Sequence, residues 1–120
     1  MPKVIYTVAA TFPDEATADE FIAWITGPEG EGGHAAAVIR GGAESAAVVR
    51  LDTGPGQPPQ VEIHYTFPGR EAFDRYVRDF APALRAEGQR LFGPDRGILY
   101  GRRQGIVAWT SVFVRQTGGI

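Results

Sequence analysis

The sequence predicts one α+β domain of the ferredoxin-like, split βαβ kind, with an antiparallel sheet and helices on one of its faces. Three observations carry that prediction. Gln60 to Phe67 (QVEIHYTF) alternates apolar and polar residues without error, the period of a strand with one buried face. Ala72, Phe73, Tyr76, Val77 and Phe80 recur at spacings of three and four, opposite Arg70, Glu71, Asp74, Arg75, Arg78 and Asp79, as in an amphipathic helix. Clusters of Gly and Pro then divide the chain into strand, helix, strand, strand, helix, strand, which is the split βαβ order.

Lys3 to Thr11 (KVIYTVAAT) is a β-rich run free of Gly and Pro, and forms the first strand. It is apolar on both faces, so it is central or covered by an assembly. Pro13-Asp14 opens a helix, with Thr17 to Glu20 as its capping box. Phe21, Ile22 and Ile25 give it an apolar side, Trp24 beside them suits core or interface packing ahead of ligand stacking, and Gly27-Pro28 stops it. After the glycine-rich loop Gly27 to Gly33, His34 to Arg40 makes two helical turns closed by Gly41-Gly42.

Glu44 to Asp52 is the second strand, with Ala47, Val49 and Leu51 facing the core and Arg50 on the opposite face. Arg50, if buried there, must pair, with Glu62 or Asp52 as partners. Pro82 interrupts the helix that begins after Pro68-Gly69, so a restart is expected at Ala81-Pro82, running to about Phe92. Arg96 to Arg115 is the last β-rich region, where Gly101 and Gly105 suggest a bulge or bend. Its apolar end, Ile106 to Val114, is longer than four strands need and can reach a second subunit. Residues 116 to 120 are expected to fray. A homodimer with sheets face to face is the simplest way to cover the outer face.

The 120 residues suit one domain spanning residues 1 to 120, 43% hydrophobic and 22% charged. A net charge of -2 supplies no field for nucleic acid or an anionic membrane. No apolar run approaches the roughly 20 residues of a membrane span. The lack of cysteine excludes disulfides, thiolate nucleophiles and zinc-thiolate sites, and fits a cytoplasmic location. P-loop, dinucleotide and GxSxG fingerprints are all missing, so the sequence asks for no cofactor.

The run APALRAEGQRLFG from Ala81 to Gly93 resembles a bacterial family of small uncharacterised proteins in the dimeric α+β-barrel group. The opening VIYTVAATFPDEATADEFIAWI and the stretch Gly33 to Asp52 are similar to the same family, and the likeness extends to about Arg103. The resemblance implies a dimeric barrel. The wider group includes cofactor-free monooxygenases, haem-degrading enzymes, lactone isomerases and stress-response barrels, and no catalytic residue maps across.

The ligand-binding candidates are His34, Arg50, His64, Tyr65 and Arg102. His34 sits at a loop-helix junction, where an imidazole can meet a ligand or simply cap the helix. His64 shares a strand face with Glu62, which also describes an ordinary solvated face. A two-histidine, one-carboxylate metal site would need His34 on that face, and nothing in the sequence brings it there. Arg50 and Arg102 suit either salt bridges or an anionic substrate. Tyr6, Tyr65, Tyr76 and Tyr100 supply phenols near the core, and a tyrosine with a histidine can orient a polar aromatic molecule. The functional expectation is therefore a small apolar or aromatic ligand between helices and sheet. The alternatives are a cofactor-free monooxygenase or isomerase on a small cyclic substrate, or a purely structural module. An internal cavity below roughly 100 Å³ would be too small for an ordinary ligand pocket and would sink both small-molecule readings.

Overall fold

A computed structural model describes residues 2–27 and 32–107. Strands β1 (Val4–Thr11), β2 (Ser45–Arg50), β3 (Gln60–Phe67) and β4 (Leu99–Ile106) form one sheet in the order β2-β3-β1-β4. All three pairings are antiparallel. Helices α1 (Glu15–Thr26), α2 (Gly33–Arg40), α3 (Arg70–Asp79) and α4 (Ala81–Leu91) connect them, with a short 3-10 turn at Pro94–Arg96. This is the ferredoxin-like α+β fold.

Register fixes which residues meet the helices. Val8 lies between Ile63 of β3 and Arg102 of β4, and Tyr6 between Tyr65 and Gln104. Val4, Tyr6, Ala10, Val61, Ile63, Tyr65 and Phe67 are buried with Phe21, Ile25, Val38, Phe73 and Tyr76 from the helices. Each helix contributes a narrow apolar stripe, so one layer of helices covers one face of the sheet. The other face carries Ile5, Thr7 and Ala9 in the centre, flanked by Glu62, His64, Gly101 and Arg103, and none of the described elements packs on it.

The register reverses the expected orientation of β2. Ala46 pairs with Tyr65 and Val48 with Ile63, so Ala46, Val48 and Arg50 share the helix-side face. Arg50 is exposed and forms ion pairs with Glu15 and with Asp19, the latter at 2.8 Å. Its partners are on α1, rather than Glu62 or Asp52. Position 50 lies where the strand leaves the core, so its long side chain reaches outward to the helix edge.

Gly101 and Gly105 make no bulge. The ladder with β1 runs unbroken from Val4–Ile106 to Thr11–Leu99, and a Cβ at either glycine would meet nothing within 4 Å. The apolar extension beyond Val107 lies outside the described residues.

The start of α1 is capped one turn earlier than the sequence suggests. Asp14, not Thr17, is the N-cap, its Oδ1 accepting from the Thr17 amide at 2.8 Å and the Thr17 hydroxyl at 2.7 Å. These hydrogen bonds, led by the hydroxyl, hold the Asp14 carboxyl below the usual carboxylate value of 3.8. A carboxyl lowered on folding stabilises above its unfolded pKa, and that contribution fades as pH falls through the folded value. Asp14→Ala should therefore melt at a lower temperature than wild type at pH 7. The gap should close once the pH is below the folded pKa of Asp14, as followed by thermal unfolding at several pH values. A gap unchanged by pH would remove the carboxylate from the cap.

The break between α3 and α4 falls where Pro82 requires it. Proline at that position has no amide hydrogen to donate and would crowd the carbonyl of Arg78 in a continuous helix. Phe80 adopts φ -122°, and α4 restarts with Pro82 in its first turn.

Candidate functional site

Two glycines bring the end of α1 against the start of α2. Gly27 and Gly33 have φ of 68° and 48°, and a Cβ on Gly33 would lie 2.4 Å from the Trp24 carbonyl oxygen. No other residue fits so close an approach in the left-handed region. The contact sets His34, the second residue of α2, over Trp24, with ring centroids 4.2 Å apart and planes inclined by 24°.

This stack forms one wall of a cleft between helices and sheet. The floor is Tyr6, Val8, Ile63, Tyr65, Tyr100 and Arg102, and the helices supply Phe21, Trp24, His34, Tyr76, Leu84 and Arg85. The cavity holds about 50 Å³, under the threshold set from the sequence, so in this closed form it supports neither small-molecule reading. A second recess of about 370 Å³ opens on the far side of the stack, between α1, α2 and α4. Trp24, His34 and Leu84 line both spaces and form the partition between them.

The four phenols of the cleft are clustered. Tyr6 stacks on Tyr65 at 6.2 Å and lies 6.5 Å from Tyr76. The Tyr6 hydroxyl accepts from Arg85 Nη2 at 3.3 Å, and the Tyr100 hydroxyl donates to the Phe92 carbonyl at 2.8 Å. Burial pushes the Tyr65 phenol well above its ordinary value of 10. Burial also lifts Tyr76 and Tyr100 to about 12, although nearby arginines pull both downward. All three remain protonated at neutral pH, and Tyr65 and Tyr76 present donors while the Tyr100 proton is committed to the Phe92 carbonyl. Burial lowers His34 below its usual 6.5, against a smaller upward pull from Glu87, so the imidazole is neutral at pH 7.

Of the residues singled out from sequence, the structure brings His34, Tyr65 and Arg102 to this cleft. Arg50 is held outside it by Glu15 and Asp19. His64 is on the opposite face of the sheet, where its Nε2 lies 2.9 Å from Glu62 Oε1. The same carboxylate accepts from Arg103 at 3.2 Å. The two histidines are thus separated by the sheet, and the two-histidine metal arrangement is not assembled. Among the described residues no cluster of three metal-ligating side chains occurs.

Sequence reasoning missed Arg85 and favoured packing over ligand stacking at Trp24. Trp24 does pack, against Phe21 at 5.9 Å and Phe92 at 5.2 Å, but it is only half buried and walls the cleft as well. Arg85 follows Leu84 in the weakly patterned helix α4, and no spacing marks it. Only the tertiary contact with Tyr6 does.

No protein-family model matches the chain, and no curated protein matches it. Solved structures do resemble it. A protein from Bacillus cereus described as a candidate antibiotic-biosynthesis monooxygenase is 16% identical, with a TM-score of 0.64 over 94% of this chain and 100% of that one. An ethyl tert-butyl ether degradation family protein from Bacillus halodurans is 16% identical, with a TM-score of 0.61 over 88% and 97%. A dimeric ferredoxin-like protein from an uncultured marine organism is 17% identical, with a TM-score of 0.60 over 92% and 100%. At these identities the likeness shows the ferredoxin-like fold.

Proposed function

We propose that this protein is a homodimer that binds a small aromatic molecule in the cleft between helices and sheet. The observation that carries the reading is the convergence of four tyrosines, the Trp24–His34 stack and two arginines on one apolar hollow. Few polar groups on an otherwise apolar lining is the chemistry of a small-molecule site. Aromatic walls favour a flat ring, and protonated phenols favour an acceptor on its edge.

The closed cavity of about 50 Å³ admits no such ring, so binding requires the partition to move. The recess of about 370 Å³ beyond Trp24, His34 and Leu84 lies within the usual ligand range of roughly 300–1,000 Å³, and displacement of these three side chains would add it to the cleft. The homodimer rests on the uncovered sheet face and on the dimeric ferredoxin-like proteins of similar fold. A bacterial, cytoplasmic protein fits the family resemblance, the lack of cysteine, and the fact that no described helix is long and apolar enough to cross a membrane.

Titration with 2-naphthol, followed at the Trp24 indole N–H resonance by NMR, tests the reading. Saturable shifts at Trp24 are expected, and Trp24→Ala should weaken binding at least about tenfold. If 2-naphthol and smaller phenols leave that resonance in place, the cleft is packing and the structural-module reading takes over. The enzymatic alternative, a cofactor-free monooxygenase or isomerase, rests on His34 as the neutral base beside the ligand. It requires that His34→Ala retain binding and lose turnover.

A further inference from the structure

The electrostatics of the cleft narrow the ligand class. The lining of the inner cavity holds two guanidiniums, Arg85 and Arg102, and no carboxylate, while the recess beyond the Trp24–His34 stack adds Arg40 and Glu87, one charge of each sign. Neither Arg85 nor Arg102 forms an ion pair among the described residues. The acidic side chains within 4 Å of an arginine are taken by Arg50, Arg70, Arg75, Arg78, Arg96 and Arg103. Among the described residues Arg85 has a single long hydrogen bond, to the Tyr6 hydroxyl. A guanidinium carries five donors, so most of its capacity is unspent. Arg102 lies 5.5 Å from the Tyr100 ring, a contact that orients the cation while leaving its N–H groups free.

The two cations approach the cleft from opposite layers, Arg102 from β4 and Arg85 from α4. Tyr76 lies between their fields, since both lower its phenol against the effect of burial. Six other arginines among the described residues have carboxylate partners and Arg40 and Arg90 do not, but only Arg85 and Arg102 combine the lack of an ion pair with a place over the phenols of the cleft. Uncompensated like charges at one hollow repel each other and are relieved by an anion that both can reach. Planar guanidiniums match carboxylate oxygens in particular, because two parallel N–H donors meet two acceptors.

We infer that the cleft selects an aromatic acid, with its ring between Trp24 and the tyrosine cluster and its carboxylate held by Arg85 and Arg102. This assignment rests on the aromatic-binding reading above and adds the charge of the ligand to it. Tyr65 and Tyr76 are protonated donors beside the same point and would complete the carboxylate's hydrogen bonds.

The experiment compares salicylate with salicylamide, which share the ring and hydroxyl and differ in the charge of one substituent. Each is titrated into the full chain by calorimetry, with the Trp24 indole resonance reporting that binding occurs in the cleft. Salicylate should bind about tenfold more tightly, as expected for one charge-assisted contact at a half-open site. In Arg85→Gln/Arg102→Gln that preference should shrink to within about twofold, through a larger loss of affinity for salicylate than for salicylamide. Both arginines are exposed, so the double variant should melt like wild type, which a thermal scan verifies. Equal affinities in the wild-type protein would overturn the acid assignment and leave the aromatic site standing. A preference that survives in the double variant would overturn the role of these two arginines. Failure of both probes to bind would remove the aromatic reading together with the assignment built on it.

Discussion

Phe67→Ala is expected to lower the unfolding free energy by about 3–5 kcal/mol, the range for deleting a buried phenylalanine ring. Phe67 ends β3 with none of its surface exposed. Its ring meets Phe73 edge-on at 5.1 Å and Tyr76 at 5.1 Å, the two buried residues of α3. It is also the cross-strand neighbour of Val4. Removing it costs the transfer energy of the ring and leaves a void bounded by a helix and two strands, which cannot all close on it. Urea unfolding should show the loss as a lower midpoint with an unchanged slope. Val77, on the same helix but 38% exposed, is the comparison, and Val77→Ala should cost well under half as much. A loss below about 1 kcal/mol at Phe67 would mean that α3 is not docked through this ring. The effect also reaches the cleft, because Tyr76 forms part of its wall and rests on Phe67.

The elements that were legible from sequence are those whose periodicity has one solution. Val61, Ile63, Tyr65 and Phe67 all face the helices, and of the α3 stripe Phe73 and Tyr76 are buried while Val77 and Phe80, at its edge and end, are exposed. In β2 the run Ala46-Ala47-Val48-Val49 is small and apolar on both faces, so alternation alone could not choose an orientation. Pairing with β3 chose it, and carried Arg50 to the helix side with it. The glycines of β4 misled for a related reason. A glycine in a strand weakens it, but here Gly101 and Gly105 both face the uncovered side, where nothing has to be packed. The site was half legible. Aromatic side chains near the core announce a cavity, and His34 at a loop-helix junction announces a wall of it. Arg85 belongs to a helix with only Ala81 fully buried, so its direction was set by how α4 lies on the sheet, which no local pattern encodes.

Ala9→Glu should turn the proposed homodimer into a monomer. Ala9 is central on the uncovered face, between Glu62 on β3 and Gly101 on β4. Small residues there, with Gly101 and Gly105 beside them, let a second sheet approach closely. A glutamate at that point projects a charge into the interface, next to the carboxylate of Glu62. The neighbouring cation, Arg103, already serves Glu62 at 3.2 Å. Closing the dimer would then bury two like-charged pairs related by symmetry, and burying an unpaired charge costs several kcal/mol. The dissociation constant should rise at least about 100-fold, seen by light scattering across a concentration series. The fold should survive, because in the monomer the new side chain stands in water. An unchanged mass would show that the dimer uses another surface, and a wild-type protein already monomeric at micromolar concentration would remove the dimer altogether. The cleft is the internal control. It lies on the other side of the sheet from Ala9, so the Ala9→Glu monomer should bind 2-naphthol as wild type does. Loss of binding along with dimerisation would instead mean that the second subunit holds the helices in place over the cleft, coupling assembly to ligand capture.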